Sequence, residues 1–138
     1  MGKVDQPVLK WNDLKTRLTR TNDSYSEEAF NRIKSDYLSK YVLANNKHDN
    51  RVWIWGAGQV ARKKSSELVN HGIVIDGYIE VSDKTSSGSL PVNHYEDLPP
   101  IPDRFIISYV GNWDARQNIR AYLVDLGWQE GTHFILAN

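Results

Sequence analysis

The stretch Arg51-Val52-Trp53-Ile54-Trp55-Gly56-Ala57-Gly58-Gln59-Val60-Ala61 decides how this 138-residue chain folds. Val52 to Trp55 are all β-branched or aromatic, the residue types that suit a pleated strand, and the run stops abruptly at a glycine pair. From Gln59 onward Val60, Ala61, Ser65, Leu68 and Val69 keep one helical face, and Gly72 follows His71 where a left-handed residue ends a helix. The expectation is a strand, a tight glycine turn and a helix that starts at once.

Toward the C-terminus the same grammar repeats. Ile73 to Val81 reads as a second strand, and Ser82 to Ser89 as an exposed loop around Thr85-Ser86-Ser87-Gly88. Leu90-Pro91-Val92 suggests a very short strand. His94 to Leu98 suggests a turn or a single helical turn that Pro99, Pro100 and Pro102 halt. Phe105 to Val110 is a nearly continuous apolar run, the mark of a strand covered on both faces in a parallel sheet. Asn112 is placed to cap a helix with Ile119, Tyr122, Leu123 and Leu126 as its buried stripe and Gly127 as its stop. His133 to Ala137 supplies the last strand.

Toward the N-terminus, Ala44 to Asn50 is polar and Asn-rich and reads as a linker. Before it, Phe30, Ile33, Tyr37, Leu38, Tyr41 and Val42 recur at three- and four-residue spacing, predicting a helix over 26–43. Ser24 or Ser26 with Glu27 and Glu28 provides its cap and first-turn acids. Trp11, Leu14 and Leu18 suggest a further short amphipathic helix ending near Arg20. The predicted organisation is a helical extension over 1–48 and an α/β domain over 49–138. That domain is expected to be a small Rossmann-like parallel sheet of four or five strands flanked by helices, with right-handed crossovers.

Composition bounds the function. With 40% apolar and 25% charged residues the chain can bury a core and remain water-soluble. No window nears the ~18 apolar residues of a membrane-spanning helix, and Met1 to Pro7 lacks the apolar centre of a signal peptide, so a cytoplasmic location is expected. Seventeen basic residues against seventeen acidic ones leave no long-range pull on nucleic acid or anionic lipid. The absence of cysteine removes disulfides, thiolate catalysis and cysteine-built zinc sites. His48, His71, His94 and His133 lie too far apart to form a helical pair of metal ligands, so no metal site is expected.

The candidate chemistry gathers at the glycine turn. Gly56-Ala57-Gly58-Gln59-Val60-Ala61 matches G-x-G-x-x-A at a strand-to-helix junction. There the first glycine permits the bend, the second admits a phosphate to the backbone, and Ala61 lets helix and strand approach. Free amides at the helix start favour an anion. Glu80, 22 residues beyond Gly58, ends the second strand and could accept hydrogen bonds from ribose hydroxyls. Ligands of open α/β sheets lie beyond the carboxyl ends of the strands, which puts Gly56, Ala57, Gly58, Gln59, Glu80, Gly111 and Asn112 at one edge. Arg116 and Arg120, four apart, could clamp a phosphate there or serve surface ion pairs. A strand also needs glycine to turn into a helix with no ligand present, so the turn alone leaves a purely structural role open.

Other candidates lead less far. No G-x-S-x-G elbow occurs, and Ser86, Ser87 and Ser89 have no identifiable base. Glu96 and Asp97 are adjacent and point apart, and Arg62-Lys63-Lys64 suits the outer face of its helix. Trp53 and Trp55 share one strand face and read as core or helix-docking residues, whereas Trp113 beside the Gly111-Asn112 turn is a candidate for ligand stacking.

Three segments carry a resemblance. They are Arg17-Leu18-Thr19-Arg20 with Tyr25 to Phe30, Lys34, Tyr37 and Leu38; Trp55 to Gly58 with Gly77 to Val81; and Tyr95 to Leu98 through Val110-Gly111-Asn112, Ala115-Arg116 and Ile119. Together they resemble the C-terminal region that follows the catalytic domain in a group of bacterial family 2 glycosyltransferases. More distantly, the glycine opening and the Val-Gly-Asn turn are similar to the nucleotide-sugar-binding domain of bacterial sugar acetyltransferases. At the end of the second strand this chain has Glu80-Val81-Ser82-Asp83 where the family has an acidic pair around an aspartate.

The resemblance implies a companion glycosyltransferase domain in the same full-length protein, where an Asp-x-Asp motif holds the metal and nucleotide diphosphate. No Asp-x-Asp occurs in these 138 residues, which start with their only methionine. The expected role is therefore a non-catalytic binding or regulatory accessory domain, excised or naturally separate, whose glycine turn takes a UDP- or dTDP-type nucleotide-sugar or another anionic ligand. The alternatives are an NAD(P)-linked oxidoreductase domain, a purely structural docking module and, further off, a methyltransferase.

Overall fold

The computed structural model describes residues 27–56, 58–81 and 90–137. The amphipathic segment around Trp11 to Arg20, the Ser24 and Ser26 caps, the Ser82 to Ser89 loop and Ala57 lie outside the described residues. The elements are helix α1 (Glu27–Asn45), strand β1 (Arg51–Trp55), helix α2 (Gln59–Asn70), strand β2 (Val74–Glu80), strand β3 (Val92–His94), a single 3-10 turn (Tyr95–Asp97), strand β4 (Ile106–Ser108), helix α3 (Trp113–Leu126) and strand β5 (Phe134–Leu136). The five strands form one parallel sheet in the order β3-β2-β1-β4-β5. This is a Rossmann-like α/β arrangement, as the strand-turn-helix pattern leads one to expect. The chain starts in the middle of the sheet, builds outward to β3, then returns to the other side of β1.

Alternation along the strands sends side chains to both faces, and both are covered. Val52, Ile54, Tyr78, Phe105, Ile107, Tyr109 and Ile135 form one buried layer with Ala61 and Leu68 of α2 and Leu38, Tyr41 and Val42 of α1. The Tyr41 hydroxyl donates to the carbonyl of Gly131 at 2.5 Å, fastening α1 to the turn before β5. On the opposite face Trp55, Ile79, Ile106, Phe134 and Leu136 pack with Ile119 and Leu123 of α3 and with Trp128. The Trp128 indole is 1% exposed, and its N–H donates to the Pro99 carbonyl at 2.8 Å, which satisfies the one polar atom that burial of the ring would strand.

β1 and β2 are joined with a slip: Val52 pairs with Ile75 but Trp53 with Gly77, so Asp76 is the extra residue of a bulge. The Arg51 guanidinium spans it with two bonds to the Asp76 carboxylate, at 3.0 and 2.7 Å. The slip lays the Trp53 ring over Gly77, where a Cβ would fall 2.5 Å from a ring carbon and 2.8 Å from the Pro91 carbonyl oxygen. Only glycine fits. Trp53 is capped from outside by the Arg104 guanidinium, 4.4 Å from a ring centroid. Trp53 and Trp55 thus occupy the α3 face together.

Helix ends follow local chemistry. The Asn112 side chain accepts from the Ala115 N–H, and α3 stops at Gly127, whose φ is +112°. The helix over 26–43 is observed as Glu27–Asn45, and the strand expected over Phe105 to Val110 is regular only over Ile106–Ser108. Among the described residues no helix is long and apolar enough to cross a membrane.

Candidate functional site at the sheet's carboxyl edge

The sheet order reverses between β1 and β4, and the carboxyl ends of these neighbours diverge to opposite crossovers, the condition for a crevice. A cleft of about 400 Å³ opens at this edge on the α3 face. Trp55 and Gly56 come from the end of β1, Glu80 and Val81 from the end of β2, and Val110 from beyond β4. Tyr95 enters from the 3-10 turn, and Ala115, Asn118, Ile119 and Tyr122 from one side of α3.

Gly56 makes the bend possible. Its φ is +119°, a conformation L side chains rarely adopt, and a Cβ there would press to 3.2 Å from the Cβ of Ala61. Its N–H donates to the Ile79 carbonyl at 2.8 Å, which fixes the bend against the end of β2 and brings Glu80 to the same rim. Gly58 is different: with φ −74° and ψ 171° it is extended, and nothing lies within 4 Å of where its Cβ would be. It is the N-cap of α2, and as a glycine it offers the first-turn amides no side-chain acceptor.

One wall of the cleft is aromatic. Tyr95 and Tyr122 meet edge to face with centroids 5.0 Å apart, and Trp55 lies 6.1 Å from Tyr95 and 6.5 Å from Tyr122. The Tyr122 hydroxyl donates to the Tyr95 carbonyl at 3.4 Å. Burial, with Tyr95, Glu96 and Asp97 adding to it, holds the Tyr122 phenol above its ordinary range, so it stays a neutral donor. His94 braces the rim: one ring nitrogen lies 3.0 Å from the Val81 carbonyl and the other accepts from the Glu96 N–H at 3.4 Å.

Of the residues singled out from sequence, Gly56 and Glu80 are brought together at the cleft. The Glu80 carboxylate also accepts from the Val81 N–H at 2.9 Å. Gly58 and Gln59 lie at the exposed start of α2 and are not among the cleft residues. Ala57 lies outside the described residues. Gly111 and Asn112 are exposed, and the Asn112 side chain is spent on its own helix. Neither Arg116 nor Arg120 is among the cleft residues. Arg120 makes two bonds to the Glu130 carboxylate, at 2.8 and 3.1 Å, and a third to Gln117. The bonds to Glu130 push the Arg120 pKa up, whereas burial first, and then Arg120 itself, push that of Arg116 down. Trp113 opens α3 at 65% exposure and is not among the cleft residues.

Sequence reasoning missed the aromatic wall. Ile119 and Tyr122 carry the helical period of a core stripe, and Tyr95 sits in a turn, so neither signalled a ligand face. Ala115, Asn118 and Tyr122, at i, i+3 and i+7, were the available sign that the stripe extends past the sheet's edge. Among the described residues, no group of three or more His, Asp or Glu is placed to hold a metal ion. No protein-family model, curated protein or solved structure matches this chain. The fold alone does not name an activity, because this architecture hosts many.

Proposed function

We propose that the chain is a non-catalytic accessory domain of a bacterial glycosyltransferase and that its Gly56–Gly58 edge binds a nucleotide-sugar. The observation that carries the reading is the bend itself. A glycine at φ +119° ends β1, the next helix begins at Gly58 with no side-chain cap, and a cleft opens beside it where the strand order reverses. Uncapped first-turn amides and the positive end of the helix dipole favour a phosphate at that point. The absence of Asp-x-Asp from the sequence supports assigning sugar transfer to a companion domain.

The test is a titration of the isotopically labelled 138-residue chain with a UDP-sugar, followed by amide chemical shifts. Saturable shifts at Gly56, Gly58, Glu80 and Asn112, with the sugar nucleotide recovered intact, are the expected result. No change at millimolar ligand would reduce the domain to a scaffold, and turnover of NADH would place it among oxidoreductases instead.

A further inference from the structure

We infer that the cleft is a nucleoside subsite: it takes the uncharged base-and-ribose end of the ligand, and the phosphates stay outside at the start of α2. The inference rests on the reading above and names which part of the ligand enters. The described residues that line the cleft include one charged side chain, Glu80, and it is negative. A phosphate drawn inside would meet a carboxylate and no countercharge from those residues, at a low-dielectric aromatic wall. A neutral group bearing hydroxyls meets an acceptor.

The shape of the wall narrows the class. Ring centroids 5.0 to 6.5 Å apart put Trp55, Tyr95 and Tyr122 in mutual contact, whereas a planar group held between two rings would need them roughly 7 Å apart, twice the contact distance. The rings therefore form a surface on which a flat heterocycle lies, not a box that encloses a cation. Asn118 stands on the same side of α3, one turn before Tyr122 and exposed toward the cleft mouth. Its amide is both donor and acceptor, the combination that pairs with the edge of a nucleobase. Glu80 closes the opposite rim, where a vicinal diol could donate to its oxygens. A volume of about 400 Å³ is in the range of small-ligand clefts and suits one nucleoside.

The experiment measures amide shifts and Trp fluorescence of the full chain with uridine, cytidine, adenosine, guanosine, their 2′,3′-dideoxy forms, inorganic pyrophosphate, glucose and a UDP-sugar. At least one nucleoside without phosphate is expected to saturate shifts at Tyr95, Asn118 and Tyr122, with pyrophosphate failing to displace it. Glu80→Gln should erase a preference of about tenfold for the riboside over its dideoxy form. Asn118→Ala should level the ranking among bases at least fivefold while leaving the fold's spectrum intact.

Displacement of the nucleoside by pyrophosphate, or saturation of the cleft by glucose in place of nucleosides, overturns the inference. Shifts at Gly58 from pyrophosphate or UDP-sugar with no response to any nucleoside would overturn it while leaving the anion turn standing. Equal affinity for nucleoside and UDP-sugar would remove the anion turn and leave the subsite. Silence from every probe removes both.

Discussion

Replacing each glycine of the turn with alanine separates what the fold needs from what a ligand needs. At Gly56 the backbone sits at φ +119°, and a Cβ would lie 3.2 Å from Ala61 Cβ and 3.9 Å from Val110 Cγ2. A non-glycine residue in such a conformation costs about 1–3 kcal/mol. The contact with Ala61 forces a shift of helix α2 as well, so Gly56→Ala should lose roughly 2–3 kcal/mol in total. For a domain of this size that is a fall of roughly 10 °C in Tm.

At Gly58 the backbone is at φ −74° and the surrounding space is open. Alanine is a poorer N-cap than glycine by about half a kcal/mol, but it restricts the unfolded chain by a comparable ~0.4–1 kcal/mol. The two nearly cancel, and Gly58→Ala should stay within about 0.5 kcal/mol of the parent. Urea unfolding followed by far-ultraviolet dichroism and Trp fluorescence reads both, with an unchanged m-value as the check that one transition is being compared. A Gly58→Ala loss above about 1.5 kcal/mol, or a Gly56→Ala loss below about 0.5, would refute the reasoning, since values of that size reverse the strain argument. A folded Gly58→Ala protein that no longer shifts with a UDP-sugar would assign that glycine to the ligand alone.

Three further outcomes follow from the packing. Gly77→Ala places a methyl 2.5 Å from the Trp53 ring and 2.8 Å from the Pro91 carbonyl. Overpacking of that kind costs ~1–3 kcal/mol, and displacing Trp53 from Arg104 adds to it, so a loss near 3 kcal/mol with an altered near-ultraviolet dichroism is expected. A loss under 1 would show that β3 moves freely. Tyr41→Phe removes the donor to the Gly131 carbonyl and leaves that acceptor buried. About 1–2 kcal/mol should be lost in urea unfolding, and no loss would mean that α1 is not fastened at that point.

His133 accepts from the Gln129 N–H at 2.9 Å through Nδ1, which requires a neutral ring. Burial, then Lys47 and His48, lower its pKa. The unfolded chain therefore binds this proton first, and the contribution is complete above pH ~6.5 and lost as pH falls from there through the lowered folded value. His133→Gln should flatten that part of the stability profile between pH 7.5 and 5, and an identical profile in the two proteins would refute it.

The parts of this structure legible in the sequence are those set by neighbours along the chain. Val52 to Trp55 as a strand, Gly56 as the bend, Asn112 as a cap and Gly127 as a stop each depend on a few adjacent residues, and each stands where local chemistry puts it. Gly77 illustrates the limit. A glycine inside a strand signals a close approach of something, but the approaching group is Trp53, brought across only by the one-residue slip that makes Asp76 a bulge. Likewise Arg120 answers Glu130, ten residues on, a partner that helical spacing does not point to.

The cleft depends on longer range still. Tyr95 and Tyr122 touch because β3 is the edge strand next to β2 and its exit turn crosses to the α3 face, a fact of strand order and not of spacing. A helical stripe reads the same whether it presses on a sheet or overhangs it. Ile119 and Leu123 of that stripe are sealed against the strands, while Tyr122, beyond the strand ends, is half-buried. Half-buried rings at a strand edge contribute less to stability than the same rings in the core, because only part of their apolar surface leaves the water. Within the wall, Tyr95 and Tyr122 are thus the rings whose loss should cost the fold less than the ligand, whereas Trp55, 3% exposed, belongs to the core as well.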